Sequence, residues 1–218
     1  METNDLDQRS PEWFAARLGK ITASGFNNVL KKTKYGESEY KKNYRMQLAI
    51  ERLTGTQAVI VPMNLAMRNG VEREPEAREV FSKATNLQVK ECGVYIHPLI
   101  KNSGASPDGI IQEDYHGETK NVVLEIKCPT MMTHAKNIMH DTLPKQYLYQ
   151  IMWQIACTNS DGAYWASYNP EFTEETKLKY LYIPADQKLI KEMEDEAIKF
   201  DNEVDELVEI LKLGAKHG

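Results

Sequence analysis

The stretch Val122-Val123-Leu124-Glu125-Ile126-Lys127 decides the fold of this chain, because it places one acid inside an otherwise apolar run. Such a run, rich in β-branched residues, predicts a β-strand, and successive side chains of a strand point to opposite faces. Glu125 and Lys127 are therefore expected on one face, with Leu124 and Ile126 on the other. A carboxylate in such a strand costs free energy unless it is paired or liganded, so Glu125 is a candidate functional residue.

The spacing Glu-x-Lys is a weak signal by itself, because the chain contains it four times: Glu39-Tyr40-Lys41, Glu118-Thr119-Lys120, Glu125-Ile126-Lys127 and Glu175-Thr176-Lys177. The first and last copies lie in charged segments without a strand pattern. The copy at Glu118 follows His116-Gly117, a turn-like stretch that would not hold a ligand rigidly. Context therefore singles out Glu125 and Lys127.

A second acid, Asp108, lies in Ser106-Pro107-Asp108-Gly109, with sixteen residues between it and Glu125. Pro-Asp-Gly is also a strong signal for a plain turn, which is the more frequent reading when the motif is taken alone. The Ile110-Ile111 pair that follows predicts a strand leading into a hairpin, whose return strand would carry Glu125. That hairpin would bring the two acids together.

Two carboxylates at neighbouring strand ends, with a backbone carbonyl, can hold a hard divalent cation and leave positions for water and phosphate. A lysine beside them can orient the attacking water and offset developing charge. Asp108, Glu125 and Lys127 thus predict a metal-dependent site for phosphodiester hydrolysis. Glu74 and Gln150 also fit such a site. Glu74 has an alternative as the intrahelical partner of an arginine four residues later, and Gln150 has one as a surface or interface residue.

The remaining pattern predicts an α/β domain with a central mixed β-sheet flanked by helices. One helix is expected to begin at Ser10-Pro11, and others at residues 22–30, 44–53, 70–83 and 144–157. Strands are expected at 88–96, 106–111, 122–127, 163–168 and 179–183. A long amphipathic C-terminal helix follows, and its apolar positions are Ile190, Met193, Ala197, Phe200, Val204, Leu207 and Leu211. We expect this helix to pack on its own sheet, although an intersubunit contact is the alternative.

Length and composition favour one domain, because the chain has 218 residues, 41% of them hydrophobic, and no repeat or low-complexity linker. We divide it into a helical, basic part (1–60), an α/β core (61–185) and the acidic C-terminal helix (186–218). No stretch reaches the roughly 18 apolar residues of a membrane span, and the acidic first residues are unlike a secretory signal. Three widely spaced cysteines predict reduced thiols and a cytoplasmic location.

The formal net charge of −5 is unevenly distributed. Residues 191–213 carry nine acids and three lysines, whereas residues 13–52 carry nine Lys or Arg against three Glu. A polyanion responds to the local field, so the basic segment permits nucleic-acid binding. A solvated face is the more frequent explanation of such a segment.

These motifs resemble those of PD-(D/E)XK nucleases, and more narrowly those of the lambda exonuclease-like group, the YqaJ-type viral recombinases. The resemblance extends over about residues 13–183. Its motifs are Trp13, Arg17-Leu18-Gly19, Ile21-Thr22-Ala23-Ser24, the segment from Gly70 to Phe81 with Glu74, Ala77 and Arg78, Ser106-Pro107-Asp108-Gly109, Leu124-Glu125-Ile126-Lys127-Cys128-Pro129, Gln150 before Trp153, and Tyr168-Asn169-Pro170.

The resemblance implies a restriction-endonuclease-like core and a Mg²⁺-dependent 5′-to-3′ exonuclease that digests one strand of duplex DNA. It implies that Asp108, Glu125 and the Ile126 carbonyl bind the metal, with two ions per active site and Mn²⁺ as a substitute for Mg²⁺. Lys127 would position the attacking water.

Further roles follow from the same resemblance. Glu74 and Gln150 match residues that complete the site, through metal-bound water. Arg17, Ser24 and Ser106 match residues that hold the 5′-terminal phosphate, which agrees with the planar donor fork of arginine and with unpaired N–H groups at a helix start. The basic part of the chain, residues 1–60, would then bind the DNA end.

The resemblance also implies a homotrimeric ring around DNA and a single-strand annealing protein as partner, in the cytoplasm of a bacterial host of a phage or prophage. Met67 matches a position where such enzymes place an apolar wedge between the strands. The acidic C-terminal helix lies outside these motifs.

Two other interpretations stay open at this point. One is another PD-(D/E)XK nuclease, either structure-specific or an endonuclease. The other is a non-catalytic DNA-binding protein that retains a nuclease fold. A metal enzyme acting on another phosphoester has less support from the residues.

Overall fold

The computed structural model describes residues 3–34, 36–59, 62–115 and 118–214. In these ranges the helices are α1 (Pro11–Arg17), α2 (Phe26–Leu30), α3 (Glu39–Thr54), α4 (Leu65–Thr85), α5 (Met131–Met139), α6 (Lys145–Thr158) and α7 (Gln187–Gly214). The strands are β1 (Thr3–Asn4), β2 (Ile21–Thr22), β3 (Lys32–Thr33), β4 (Gly36–Glu37), β5 (Val89–Lys90), β6 (Val94–Ile96), β7 (Ser103–Ala105), β8 (Gly109–Tyr115), β9 (Glu118–Lys127), β10 (Gly162–Tyr168) and β11 (Leu178–Pro184).

The largest sheet has the order β11-β10-β9-β8-β5. Strands β9 and β10 run parallel, whereas the other neighbouring pairs run antiparallel. A smaller sheet has the order β1-β6-β7-β2, and β3 pairs with β4. The prediction of an α/β fold with a central mixed sheet is therefore confirmed.

The alternation of side chains along β9 divides the core into two layers. Leu124 and Ile126 belong to a cluster that includes Phe81 of α4, whereas Val123 belongs to a larger cluster that includes Trp153 of α6. Helices α4 and α6 therefore cover opposite faces of the sheet. Glu125 lies on the face of α6, as the strand period predicts.

Most predicted helices form, with shifted boundaries. Ser10 caps α1 by accepting from the Trp13 N–H, and Pro11 is its first residue, as expected. The segment after Thr22 begins as a single 3-10 turn and continues as α2. Helix α5 was not predicted from the sequence.

Two strand predictions need correction. Residues 88–96 form two short strands in different sheets, β5 and β6, which are separated by an irregular stretch at residues 91–93. Residues 106–108 are not part of a strand, and β8 begins at Gly109. Pro107 has no N–H to donate to a neighbouring strand, which agrees with a strand that begins after Asp108, at Gly109. The turn expected at His116-Gly117 lies outside the described residues.

Helix α7 packs inside its own chain, mainly on other helices. Its buried residues are Ile190, Met193, Ala197, Phe200, Val204 and Val208, and they contact α2, α3 and α6. Leu207 and Leu211 are partly buried beside them. The expected packing of this helix within its own chain is therefore confirmed, and the sheet residues Val123 and Trp165 belong to the same core cluster.

The acidic face of α7 meets the basic segment of the chain. Arg45 contacts Glu203, and Arg52 contacts Asp201 and Asp205. Part of the positive charge of residues 13–52 is thus neutralised by the chain itself. Cys92, Cys128 and Cys157 are free thiols, and none of the described helices is long and apolar enough to cross a membrane.

Candidate active site

Two hydrogen bonds connect Asp108 to the strand that carries Glu125, at one end of the β8–β9 hairpin. The Asp108 N–H donates to the Leu124 carbonyl at 3.0 Å, and the Ile126 N–H donates to Asp108 Oδ2 at 2.6 Å. Gly109 is required beside Asp108, because a Cβ there would lie 2.3 Å from a methyl carbon of Val89. The hairpin predicted from the sequence therefore forms and brings Asp108 next to the strand that carries Glu125.

Glu125 is buried and accepts hydrogen bonds at both carboxylate oxygens. Gln150 Nε2 donates to Oε1 at 2.5 Å, and Gln154 Nε2 donates to Oε2 at 2.5 Å. The ammonium of Lys127 also donates to Oε1. These donors offset the cost of burying a carboxylate and fix its orientation.

Lys127 is a permanently charged neighbour of the two acids. Burial lowers the pKa of its ammonium, but the attraction of Glu125 and Asp108 and the hydrogen bond to Glu125 outweigh burial, so the pKa is raised above its usual value. Lys127 therefore acts as a cationic donor at neutral pH and cannot serve as a proton acceptor.

The negatively charged form of Asp108, in contrast to the charged form of Lys127, is disfavoured in this site. Burial and the repulsion of Glu125 and Glu74 raise the pKa of the Asp108 carboxyl well above its usual range, against the opposing effects of Lys127 and the Ile126 N–H. A divalent cation would relieve this repulsion, so the donor set at Asp108 and Glu125 fits a hard metal ion. Within the described ranges, no group of three or more His, Cys, Asp or Glu side chains is arranged to hold a metal.

Glu74 lies on α4 at the edge of this site, between two arginines. Arg78 Nη2 donates to Glu74 Oε1 at 3.1 Å, and Arg9 Nη2 donates to Glu74 Oε2 at 2.7 Å. Arg78 Nε also donates to the Asp108 carbonyl at 3.1 Å, and its Nη1 lies 2.5 Å from Glu91. The intrahelical ion pair considered as an alternative role for Glu74 is present, and Glu74 also contributes to the field at Asp108.

Arg17 and Ser106 come together next to the acids. Arg17 Nη1 donates to Ser106 Oγ at 3.0 Å, and its guanidinium lies over the Trp13 ring, 4.1 Å from the centroid. Burial lowers the pKa of Arg17 to about 10, against the opposing effects of Tyr44 and Glu125. The group remains charged at neutral pH and is held rigidly.

The other two predicted DNA contacts are exposed. Ser24 Oγ lies 3.4 Å from Thr22 Oγ1, and the hydrogen bonds of the described residues do not connect it to Arg17 or Ser106. Met67 is 46% exposed in the first turn of α4. The structure therefore joins Arg17 and Ser106, whereas the roles of Ser24 and Met67 stay predictions.

Two residues of the site were not found from the sequence. Gln154 is buried, and its Oε1 atom has no hydrogen-bond partner although its Nε2 atom binds Glu125. Its position four residues after Gln150, on the same helical face, is a signal that could have identified it. Arg9 gave no such signal, because it contacts Glu74 from a segment that precedes α1.

The family described as YqaJ-like viral recombinase domain matches residues 12–161. Among solved structures, an alkaline exonuclease from Laribacter hongkongensis (LHK-Exo) is 36% identical to this chain, with a TM-score of 0.85, and the match covers 95% of this chain and 99% of that one. The structure of LHK-Exo in complex with dAMP matches at 36% identity and a TM-score of 0.84, with the same coverage.

A phage-related exonuclease from Haemophilus somnus 129PT is 13% identical, with a TM-score of 0.67, and the match covers 88% of this chain and 96% of that one. At this identity the likeness supports the fold alone. No curated protein matches the chain. The resemblance inferred from the motifs, and the fold class that it implied, are confirmed by these matches.

Proposed function

Because the chain belongs to the YqaJ-like viral recombinase domain family, we propose that it is a deoxyribonuclease, a metal-dependent exonuclease acting on linear double-stranded DNA. It would digest one strand in the 5′-to-3′ direction from a 5′-phosphorylated end and leave a 3′ single strand for recombination. The observation that carries the proposal is the convergence of Asp108, Glu125 and Lys127 at one end of the β8–β9 hairpin. The match to LHK-Exo over almost the whole chain supports the exonuclease activity.

The proposed metal ligands are Asp108, Glu125 and the carbonyl of Ile126. When bound there, Mg²⁺, or Mn²⁺ in its place, would polarise the phosphodiester and make water a stronger nucleophile at neutral pH. We propose two ions per site, following the family resemblance. The raised pKa of Asp108 supports this assignment, because mutual repulsion between two buried acids is what a divalent cation removes.

The chain's own residues would orient and stabilise the reacting groups. Gln150 and Gln154 hold the Glu125 carboxylate in one orientation. Lys127 would donate to the attacking water or to a phosphate oxygen, and its positive charge would stabilise the additional negative charge of the transition state. The attraction of Glu125 and Asp108 raises the pKa of Lys127 in the metal-free site, which favours a role as a charged donor.

End recognition would come from Arg17 and Ser106, with Ser24 at the neighbouring helix start. Arg17 presents a charged planar fork that Trp13 holds in position, which suits a terminal phosphate bearing two negative charges. Trp13 and Arg17 line a cavity of about 400 Å³ that could take part of the terminal nucleotide. A 5′-phosphate anchored close to Glu125 would determine that each strand is digested from its 5′ end.

The test is a digestion of labelled linear duplexes carrying a 5′-phosphate or a 5′-hydroxyl, beside a covalently closed circle, with Mg²⁺ and with EDTA. We expect mononucleotide release from the 5′-phosphorylated strand, slower digestion of the hydroxyl end, an intact circle, and no activity in EDTA. Cleavage of the circle at a similar rate would show an endonuclease instead. Binding of the duplex without hydrolysis under every condition would show a non-catalytic DNA-binding protein.

The assembly and partners are further parts of the proposal. By family resemblance we propose a homotrimeric ring around DNA, Met67 as a strand-separating wedge, and a single-strand annealing protein that binds the strand left behind. Action in the cytoplasm of a bacterial host, with a phage or prophage origin, belongs to the same proposal. Light scattering coupled to size exclusion would measure the trimer directly, and a mass of about 25 kDa would contradict it.

A further inference from the structure

Arg9 has an unusual backbone conformation for its residue type. Its φ angle is 69°, in the left-handed region that favours glycine. The residues on either side are fixed. Gln8 Nε2 donates to the carbonyls of Pro107 at 2.7 Å and Cys92 at 3.0 Å, and Ser10 caps α1. The left-handed conformation at Arg9 is therefore imposed by its neighbours, at a position where glycine would be relaxed.

The Arg9 side chain has a specific partner at this strained position. Its Nη2 atom lies 2.7 Å from Glu74 Oε2, and the side chain of Glu74 is 11% exposed against 37% for Arg9. Arg78 holds the other oxygen of Glu74 but is shared with Glu91 and the Asp108 carbonyl. Among the described residues, Arg9 therefore forms an ion pair with Glu74 alone, whereas Arg78 divides its contacts between two acids.

This pair bears directly on the charge of the candidate metal site. Arg78 joins Glu74 to Asp108, because its Nη2 atom donates to Glu74 Oε1 and its Nε atom donates to the Asp108 carbonyl, both at 3.1 Å. Glu74 is therefore a third negative charge beside Asp108 and Glu125. A guanidinium bound to Glu74 offsets that charge and fixes the carboxylate on the side of α4. An ion held by Asp108 and Glu125 would be attracted less strongly to a site with Arg9 in place than to one without it.

We propose that Arg9 is a positioning residue that holds the Glu74 carboxylate and thereby lowers the affinity of the Asp108–Glu125 site for a divalent cation. This inference rests on the metal-dependent function proposed above. Arg9 reaches the site through Glu74, and its effect is on the amount of metal that the enzyme requires.

The primary experiment is a calorimetric titration of the DNA-free full chain with Mn²⁺. The variants are Arg9→Gly, Arg9→Ala and Arg9→Lys, and Lys199→Ala removes one charge from an exposed pair on α7 as a control. We expect Arg9→Gly and Arg9→Ala to bind Mn²⁺ about three- to fivefold more tightly, whereas Arg9→Lys and Lys199→Ala stay within about twofold of wild type.

The glycine variant separates this role from a structural one. Both variants lose the Arg9–Glu74 pair, but glycine relaxes the backbone at φ 69° and alanine keeps the strain, so Arg9→Gly is expected to melt at a higher temperature than Arg9→Ala. Both variants should nevertheless show the same change in Mn²⁺ affinity. In a Glu74→Gln background, Arg9→Gly should cause no further change, because the charge that Arg9 offsets is gone.

The outcomes distinguish the two proposals. A wild-type protein that binds Mn²⁺ and a folded Arg9→Gly variant of equal affinity would overturn the role of Arg9 and leave the nuclease proposal standing. An additional affinity change from Arg9→Gly in the Glu74→Gln background would also overturn it. If the wild type binds no Mn²⁺ and digests DNA in EDTA, both the metal-dependent function and the role of Arg9 fail.

Discussion

The residue that distinguishes one Glu-x-Lys copy from the others is the lysine at its end. Lys127 contacts a buried carboxylate, whereas Lys177, in the copy that begins at Glu175, contacts the exposed Glu174. Water therefore screens the Lys127–Glu125 pair less than the Lys177–Glu174 pair, because the side chain of Glu125 is 3% exposed and that of Glu174 is 83% exposed. The same spacing thus produces a pair with a buried acid at one position and a pair with an exposed acid at the other.

Replacing Lys127 by methionine keeps the length of the side chain and removes the charge. We expect kcat for duplex digestion to fall by about 10²- to 10³-fold, because a fixed donor to the developing charge is lost. DNA binding in the presence of Ca²⁺, measured by fluorescence anisotropy, should change by less than about threefold. Lys177→Met is the matched control, and an equal loss of activity in both variants would remove Lys127 from the site.

Gln154 allows a second test of a single side chain, because one of the two polar atoms of its amide has a hydrogen-bond partner and the other has none. Its Nε2 atom binds Glu125, and its buried Oε1 atom has no partner. Gln154→Met keeps the volume, removes the unpaired oxygen and releases one oxygen of Glu125. We expect kcat to fall about tenfold with little change in KM, and the free energy of unfolding, measured in urea, to stay within about 1 kcal/mol of wild type. A large loss of stability with normal activity would assign Gln154 to the core instead.

At the scale of elements, α3 and α7 are joined by charge as well as by apolar packing. Arg52 Nε donates to the Gly19 carbonyl at 2.9 Å, and its terminal nitrogens contact Asp201 at 2.5 Å and Asp205 at 2.7 Å. The side chains of Arg52 and Asp201 are 13% and 18% exposed. This planar fork fixes α7 against the turn that follows α1, and hence supports the position of Arg17.

Arg52→Ala should therefore destabilise the protein by about 2 kcal/mol, because the partly buried carboxylate of Asp201 and the Gly19 carbonyl lose their donor, whereas the exposed Asp205 contributes little. Lys212→Ala, which breaks an exposed pair on the same helix, should change the free energy of unfolding by less than about 0.5 kcal/mol. Urea unfolding followed by circular dichroism measures both variants. Equal effects would mean that the acidic face of α7 is only solvated.

The sequence was sufficient for those parts of the site that depend on local rules. Strand alternation placed Glu125 and Lys127 on one face, and the hairpin between Asp108 and Glu125 followed from turn chemistry. Arg9 could not be found in this way, because its contact with Glu74 spans 65 residues. Gln154 could have been selected only from its helical spacing to Gln150, because its contact with Glu125 spans 29 residues. Such contacts depend on how α1, α4 and α6 pack on the sheet. The periodicity of apolar residues within one helix or strand does not specify that packing.

The same limit explains the errors at the scale of elements. The apolar period of α7 correctly predicted a long buried face, but it did not specify which layer that face would meet. The sequence showed an acidic C-terminal segment and a basic segment near the start of the chain. The structure adds that Arg45 and Arg52 of the basic segment form ion pairs with acids of the C-terminal helix. The basic surface available to DNA is consequently smaller than the sequence suggested.

For the molecule as a whole, His97 lies where the small sheet, α6 and α7 meet. It follows β6, its ring stacks on Trp153 at 4.8 Å between centroids, and its Nδ1 atom accepts from the Leu99 N–H. Its Nε2 atom lies 3.4 Å from Glu194 but forms no hydrogen bond. Burial lowers the pKa of His97 to about 4.

This shift makes the stability of the whole fold depend on pH in a defined direction. As the pH falls below about 6.5, the unfolded chain takes up a proton at His97 before the folded chain does, so the contribution of His97 is present above that pH and is lost toward pH 4. Between pH 7.5 and 5.0 we expect a loss of about 2 kcal/mol from this group. Burial also lowers the pKa of His134, which adds an effect of the same sign. His97→Gln, which does not titrate, should therefore lose about 2 kcal/mol less than wild type over this interval in urea unfolding, and parallel losses in the two proteins would show that His97 is not the responsible group.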